Sequence, residues 1–229
     1  MASTDSRIVP LLLSVNAGYV DTAGFLALQG LFTAHVTGNF VTLGAALALG
    51  TSGAVAKLLA LPVFCVVVIA TRLAGTLLSR RWSRAFEILI VVKLALLVIG
   101  AALAIHFGPF HHGDSREAII TGMVLVAAMA IQNGGHRIYL PSSPPSTLMT
   151  GTTTQVMIDL ADRIYVGDKG QAPPSARLVQ MSVNVLVFAL GCGAAALLFA
   201  RLGSWCFAVP PIIAALTLAV RLAGPQPAR

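Results

Sequence analysis

Six stretches of this sequence are long and apolar enough to cross a bilayer: residues 8–30, 58–79, 86–108, 117–139, 178–200 and 204–222. A helix rises ~1.5 Å per residue, so about 20 apolar residues span ~30 Å of hydrocarbon. Composition agrees. Of 229 residues, 57% are hydrophobic and only 10% charged, against ~25% charged in ordinary soluble domains. So few charges cannot cover a water-exposed surface. The composition excludes a soluble enzyme, a disordered chain and a nucleic-acid binder, and leaves an integral membrane protein whose first partner is the lipid bilayer. The net charge of +7 is that of basic loops flanking spans. Cys65, Cys192 and Cys206 lie inside apolar runs without CxxC spacing. They read as small apolar residues, neither disulfide framework nor metal site. The first run is interrupted by Asn16 and Asp21, so it is expected to stay as a membrane helix rather than be cleaved.

Two further segments are apolar but unsuited to lipid. Residues 33–50 begin Thr33-Ala34-His35-Val36-Thr37-Gly38-Asn39, and residues 146–166 contain Thr150-Gly151-Thr152-Thr153-Thr154-Gln155, then Asp159 and Asp162. Polar, irregular backbone is tolerated at membrane depth only where protein or water surrounds it. Charge decides how they run. If all eight segments cross, the Arg80/Arg81/Arg84 cluster falls outside. If the two polar segments dip in and return, ten basic residues lie on the cytoplasmic side with both termini. They are Arg7, Arg80, Arg81, Arg84, Arg137, Arg163, Lys169, Arg177, Arg221 and Arg229. Lys57, Arg116 and Arg201 are then outside. The positive-inside rule selects the second arrangement. The expected fold is therefore all-α. It is a polytopic transmembrane bundle of six spans plus two short re-entrant or broken helices, forming one integral membrane domain over residues 1–229.

The chain also resembles itself. Val36-Thr37-Gly38-Asn39-Phe40-Val41-Thr42-Leu43 parallels Met149-Thr150-Gly151-Thr152-Thr153-Thr154-Gln155-Val156. Each half reads as a long helix, a Thr-Gly segment and two more long helices, about 8–108 and 117–222. Three crossings per half is an odd number, so the repeat is inverted. In membrane proteins that architecture places a substrate site where broken helices meet.

Asp21 is the only charged residue between Arg7 and Lys57, and a carboxylate within a span costs at least ~2.5 kcal/mol. It reads either as a proton-, cation- or substrate-binding group, or as a carboxylate capping another segment. Asn16 and Tyr19 stand near it on the same helix. Thr37, Gly38 and Asn39, with Thr150, Gly151, Thr152 and Gln155, suit short helix starts whose free N–H groups would point at a polar ligand. Small-residue packing between helices is the plainer reading. His35 could relay protons or sit idle at an interface. Gln132 and Asn133 hold roughly the place in the second half that Asp21 holds in the first. Arg72 and Lys93 are accounted for by snorkelling. His106, His111, His112 and Asp114 share a loop without the register of a metal site. No metal, cofactor or catalytic motif is expected.

Gly18-Tyr19-Val20-Asp21, Gly24-Phe25 and Phe32-Thr33-Ala34-His35-Val36-Thr37-Gly38-Asn39 resemble the first signature of the DUF1275 family of bacterial membrane proteins, also called the YoaK family. Gln132-Asn133, Met149 through Gln155 and Asp159-Leu160 resemble its second. The resemblance covers about 8–222 and implies a multi-pass inner-membrane protein of unknown function. It supplies no substrate. The expectation is a small-molecule or ion transporter, with a channel or a non-transporting sensor or scaffold as alternatives. Ala189 and Gly193, one helical turn apart, offer a face for a homodimer.

Overall fold

The computed structural model describes residues 4–166 and 175–224, and all regular structure among them is helical. Eight α-helices follow in order: α1 Thr4–Ala27, α2 Asn39–Leu49, α3 Ala54–Arg81, α4 Ala85–Phe107, α5 Arg116–Tyr139, α6 Met149–Val166, α7 Ser175–Leu202 and α8 Val209–Ala223. A 3₁₀ turn, Val36–Gly38, opens α2, and another, Gly203–Ala208, joins α7 to α8. Five stretches are long and apolar enough to cross a membrane. The last of them, Ala176–Ala223, holds both α7 and α8 with the 3₁₀ turn between.

The polarity of the bundle is that of a protein solvated by lipid. Val66, Ile69, Leu73 and Leu77 form an exposed stripe along α3, and Leu186, Leu190 and Leu197 form another along α7. Ser14, Asn16, Asp21, Lys93, Thr121, Gln132 and Asn184 are buried. Lipid tails are as apolar as leucine, so apolar surface gives no drive for helices to associate. Close backbone approach and hydrogen bonds must do it. A Cβ on Gly18 would lie 2.2 Å from the Phe188 carbonyl oxygen, and one on Gly191 would lie 2.3 Å from that of Val15. Only glycine permits the α1–α7 crossing at this distance. Ser14 Oγ then reaches Asn184 Oδ1 across it (2.5 Å).

Helix ends gather at two poles. At one pole Gln29 donates to the Phe110 carbonyl (3.0 Å), and Asp114 accepts from the Gly53 N–H (2.8 Å). The end of α1, the start of α3 and the α4–α5 loop therefore meet there. Gly108 lies against Ser204, which adds the α7–α8 turn. At the other pole Val9, Leu13, Phe86 and Ile90 pack with Tyr139, Leu140, Leu218 and Val220. Arg221 pairs with Glu87 there (3.0 Å) and lies over the Phe86 ring. The partners of each helix follow a pattern. α1 packs on α7 and α8, α5 packs on α3 and α4, and α2 and α6 lie respectively on α3 and α7. Exchanging the first four helices for the last four leaves this set of pairings in place.

The two polar segments run as dips, one from each pole. After α1 the chain turns back through Gln29 and Gly30, both at positive φ (54° and 82°). It descends to Asp21, six residues inside α1, and returns through α2 to Gly53 beside Gln29. The second dip leaves Tyr139, reaches Gln132 and Asn133 through Ser146 and Thr147, and returns along α6. Six or seven residues of helix set each depth at about 10 Å. One expectation changes here. The second segment is no broken helix. Met149–Val166 is one continuous helix on the flank of the bundle, with Ile164 and Tyr165 fully outward. The irregular part precedes it, at residues 140–148, where Pro141, Pro144 and Pro145 forbid helix.

Asp114 fastens the first of these poles. Its Oδ1 accepts from the Val55 and Ala56 N–H groups (2.8 and 3.3 Å), at the open start of α3. Burial pushes the carboxyl up, but the N–H donors of Gly53, Ala56, Val55 and Ala54 outweigh it and hold it below the usual carboxylate range. A carboxyl lowered on folding stabilises above its unfolded value, about pH 4, and that stability is lost as pH falls through the lower folded value. Thermal midpoints in detergent are expected to drop below pH 4 in the native protein. The Asp114→Asn variant should start lower and fall less over the same window.

Candidate functional site

Asp21 organises the first dip. It is 4% exposed, and its Oδ1 accepts from the backbone N–H groups of Thr33 (2.8 Å), Ala34 (2.7 Å) and His35 (3.3 Å). Oδ2 lies 2.7 Å from His35 Nδ1. Three successive N–H groups converging on one oxygen form an anion cradle. The anion they hold is the chain's own carboxylate. Asn39 braces the same turn, accepting from the Phe32 N–H (2.9 Å) and donating to the Phe32 carbonyl (2.8 Å). Gly38 is needed because a Cβ there would press to 2.9 Å of the Phe32 ring.

The second dip is held by amides instead. Asn133 Oδ1 accepts from the Thr147 hydroxyl (2.5 Å), and Gln132 Nε2 donates to Ser146 Oγ (3.1 Å) and to the Leu13 carbonyl (2.8 Å). Asn184 donates to the Pro145 carbonyl (2.9 Å). Gln132 Oε1 accepts from Lys93 Nζ (2.5 Å). Lys93 is 1% exposed. It does not snorkel: its amine ends inside the bundle, tied through Gln132 to α1 and to the turn at Ser146.

Both dips reach one cavity of about 430 Å³. Ala34, His35, Val36 and Thr37 line it from the first, and Thr147 and Leu148 from the second. α3 contributes Leu61, Phe64, Val68 and Arg72, and α5 contributes Asn133, Gly134, Arg137 and Ile138. A second cavity, of about 520 Å³, lies on the far side of His35 and Thr37, between α1 and α7, and Asp21 lines it. His35 and Thr37 are the wall between the two.

A model described as a protein of unknown function, DUF1275, matches residues 9–220. The chain belongs to the DUF1275 family. It is 32% identical over 160 residues to the UPF0700 transmembrane protein YoaK of Bacillus subtilis (strain 168), and the match covers 67% of each chain. No solved structure matches.

Within this DUF1275 bundle the residues singled out by sequence are divided. Asp21, His35, Thr37, Gly38 and Asn39 form the first dip, and Gln132 and Asn133 anchor the second. Tyr19 points away from both, its hydroxyl donating to the Cys206 carbonyl (2.9 Å). Asn16 is 0% exposed, and neither amide atom has a hydrogen-bond partner among the described residues. Thr150 and Gly151 face outward on α6, Thr152 returns its hydroxyl to the Leu148 carbonyl (2.8 Å), and Gln155 donates to Asp159 (2.6 Å). None of these four lines the cavity between the dips. One helical turn of displacement explains it. The dip touches bottom at Ser146 and Thr147, so the Thr-Gly pair already lies on the returning helix. Ser146, Thr147, Arg72 and Arg137 are the residues that sequence alone did not bring to the site.

Proposed function

We propose that this DUF1275 protein is a small secondary transporter of the inner membrane, not an enzyme, and that the cavity between the two dips is its substrate site. The observation that carries the reading is the cavity itself: turns entering from opposite poles line one space in a bundle with an apolar exterior. The exchange of pairings between the halves supports an inverted repeat of three crossings each, the architecture in which two gates are related by symmetry about a central site. Charge supports the orientation. Arg80, Arg81, Arg84, Arg137, Arg163, Arg177 and Arg221 belong to one pole, and Lys57, Arg116 and Arg201 to the other. The arginine-rich pole, opposite to the one that Asp114 fastens, is then cytoplasmic with both termini. Asp21 acts as a positioning residue that sets the first turn and holds His35 in the wall between the cavities. Ala189 and Gly193 face outward on α7, available to a second copy.

Alternating access is the test. Single cysteines at Thr37 and at Val68 are placed in a background without Cys65, Cys192 and Cys206, and monodisperse elution confirms folding. A membrane-impermeant maleimide is applied to right-side-out and to inverted vesicles. The expected result is labelling of both positions from both sides. Labelling from neither side would mark a closed scaffold, and labelling from one side only would mark a dead-end pocket. Either would overturn transport.

A further inference from the structure

We infer that the cavity takes an organic anion: a carboxylate carried on an apolar body, held by Arg72 and Arg137. This rests on the same cavity being the substrate site. The decisive observation is an imbalance of charge. Two guanidinium side chains from different helices line one cavity, and neither forms an ion pair among the described residues. The carboxylates that do pair lie elsewhere: Asp159 with Arg177 and Glu87 with Arg221, while Asp21 is held by His35 and three backbone N–H groups. Asp114 is spent on the start of α3. Arg72 is nine residues from the end of α3, about 14 Å along the helix. That is a third of the way along a 28-residue helix, and both Arg72 and Arg137 are exposed rather than packed away, free to meet an anion entering the cavity.

Geometry narrows the ligand. A planar guanidinium offers paired N–H donors that match a carboxylate. Thr37 and Asn133 add neutral polar groups at the same wall. The remaining surface comes from Leu61, Phe64, Val68 and Leu148, which would leave a bare inorganic ion half unsolvated. A small carboxylate with an aromatic or short aliphatic body satisfies both parts. A lipid phosphate approaching from the open side would meet the same arginines, and the experiment separates the two sources.

Thermal unfolding of the purified full chain in detergent is followed with benzoate, octanoate, benzamide and inorganic phosphate. The expected result is a saturable rise in midpoint with benzoate or octanoate and none with benzamide or phosphate. Arg72→Gln and Arg137→Gln, each with an unchanged midpoint in the absence of ligand, should weaken that response at least tenfold. Arg116→Gln, at the other pole, should leave it intact. No response to either carboxylate would overturn the inference, as would an equal response to phosphate. Protein in phosphatidylcholine vesicles supplies the last arm. If phosphatidylglycerol stabilises it through both arginines while the carboxylates do not, the occupant is a lipid headgroup and the inference fails. Binding is read here without transport, so it can fail while labelling from both sides still stands, and the reverse.

Discussion

Replacing Asp21 by leucine is expected to unfold the first dip. Three backbone N–H groups, of Thr33, Ala34 and His35, now converge on Oδ1. A leucine offers them nothing. A buried donor left unsatisfied costs roughly 1–3 kcal/mol, so losing the oxygen that serves all three should cost about 3 kcal/mol or more. Hydrogen exchange is the measurement. Amides 31–38 should lose protection by two or more orders of magnitude while those of α4 and α5 keep theirs. Asp21→Asn separates capping from charge. It keeps an oxygen for the backbone donors and presents an amide to His35, so the turn should remain protected. If Asp21→Leu leaves exchange at 31–38 unchanged, the carboxylate does not hold the turn.

The second large effect is expected at Gln132. Its carbonyl oxygen accepts from Lys93 Nζ, and no ion pair involves this amine among the described residues. Gln132→Leu leaves the buried Lys93 amine without its acceptor and also frees Ser146 and the Leu13 carbonyl. Each buried donor or acceptor left unsatisfied costs roughly 1–3 kcal/mol. The unfolding midpoint in detergent should fall by roughly 10 °C, at ~2–4 °C per kcal/mol for a chain of this size, or the protein should fail to accumulate. Lys93→Met in the same chain removes the stranded amine and keeps a similar volume, so the double variant should recover much of the loss. A double-mutant cycle reads the coupling directly. Additive losses would mean that Lys93 and Gln132 act independently, against the hydrogen bond described here.

Much of the fold is legible in the sequence because lipid imposes simple rules. Length and apolarity mark α1, α3, α4, α5, α7 and α8, and the polar run Thr33–Asn39 marks a segment that cannot face lipid. Asp21 stands out because a lone carboxylate in an apolar run needs a reason. Its partners do not show. The N–H groups of residues 33–35 carry no side-chain signature, so capping and substrate binding look alike until the turn is seen. Lys93 was opaque for a related cause. A lysine near a helix end and a lysine aimed inward have the same neighbours in sequence, and Gln132 lies on a different helix. The displacement at the second dip has a local origin. The prolines at 144 and 145 bring the chain to its deepest point before the Thr-Gly pair, whereas the first dip has no proline and keeps its pair at the bottom.

The α1–α7 crossing bears on how the chain is made. Ser14 meets Asn184 across 170 residues, and Gly18 waits for Phe188. At synthesis rates of ~5–20 residues per second, α1 is complete roughly 10–30 s before its main neighbour exists. During that interval it carries Ser14, Asn16 and Asp21 into the membrane with only the first dip to answer the carboxylate. The early closure of that dip, formed wholly from residues 21–39, is then more than site architecture: it shields the most costly group of the first helix until the last third of the protein arrives.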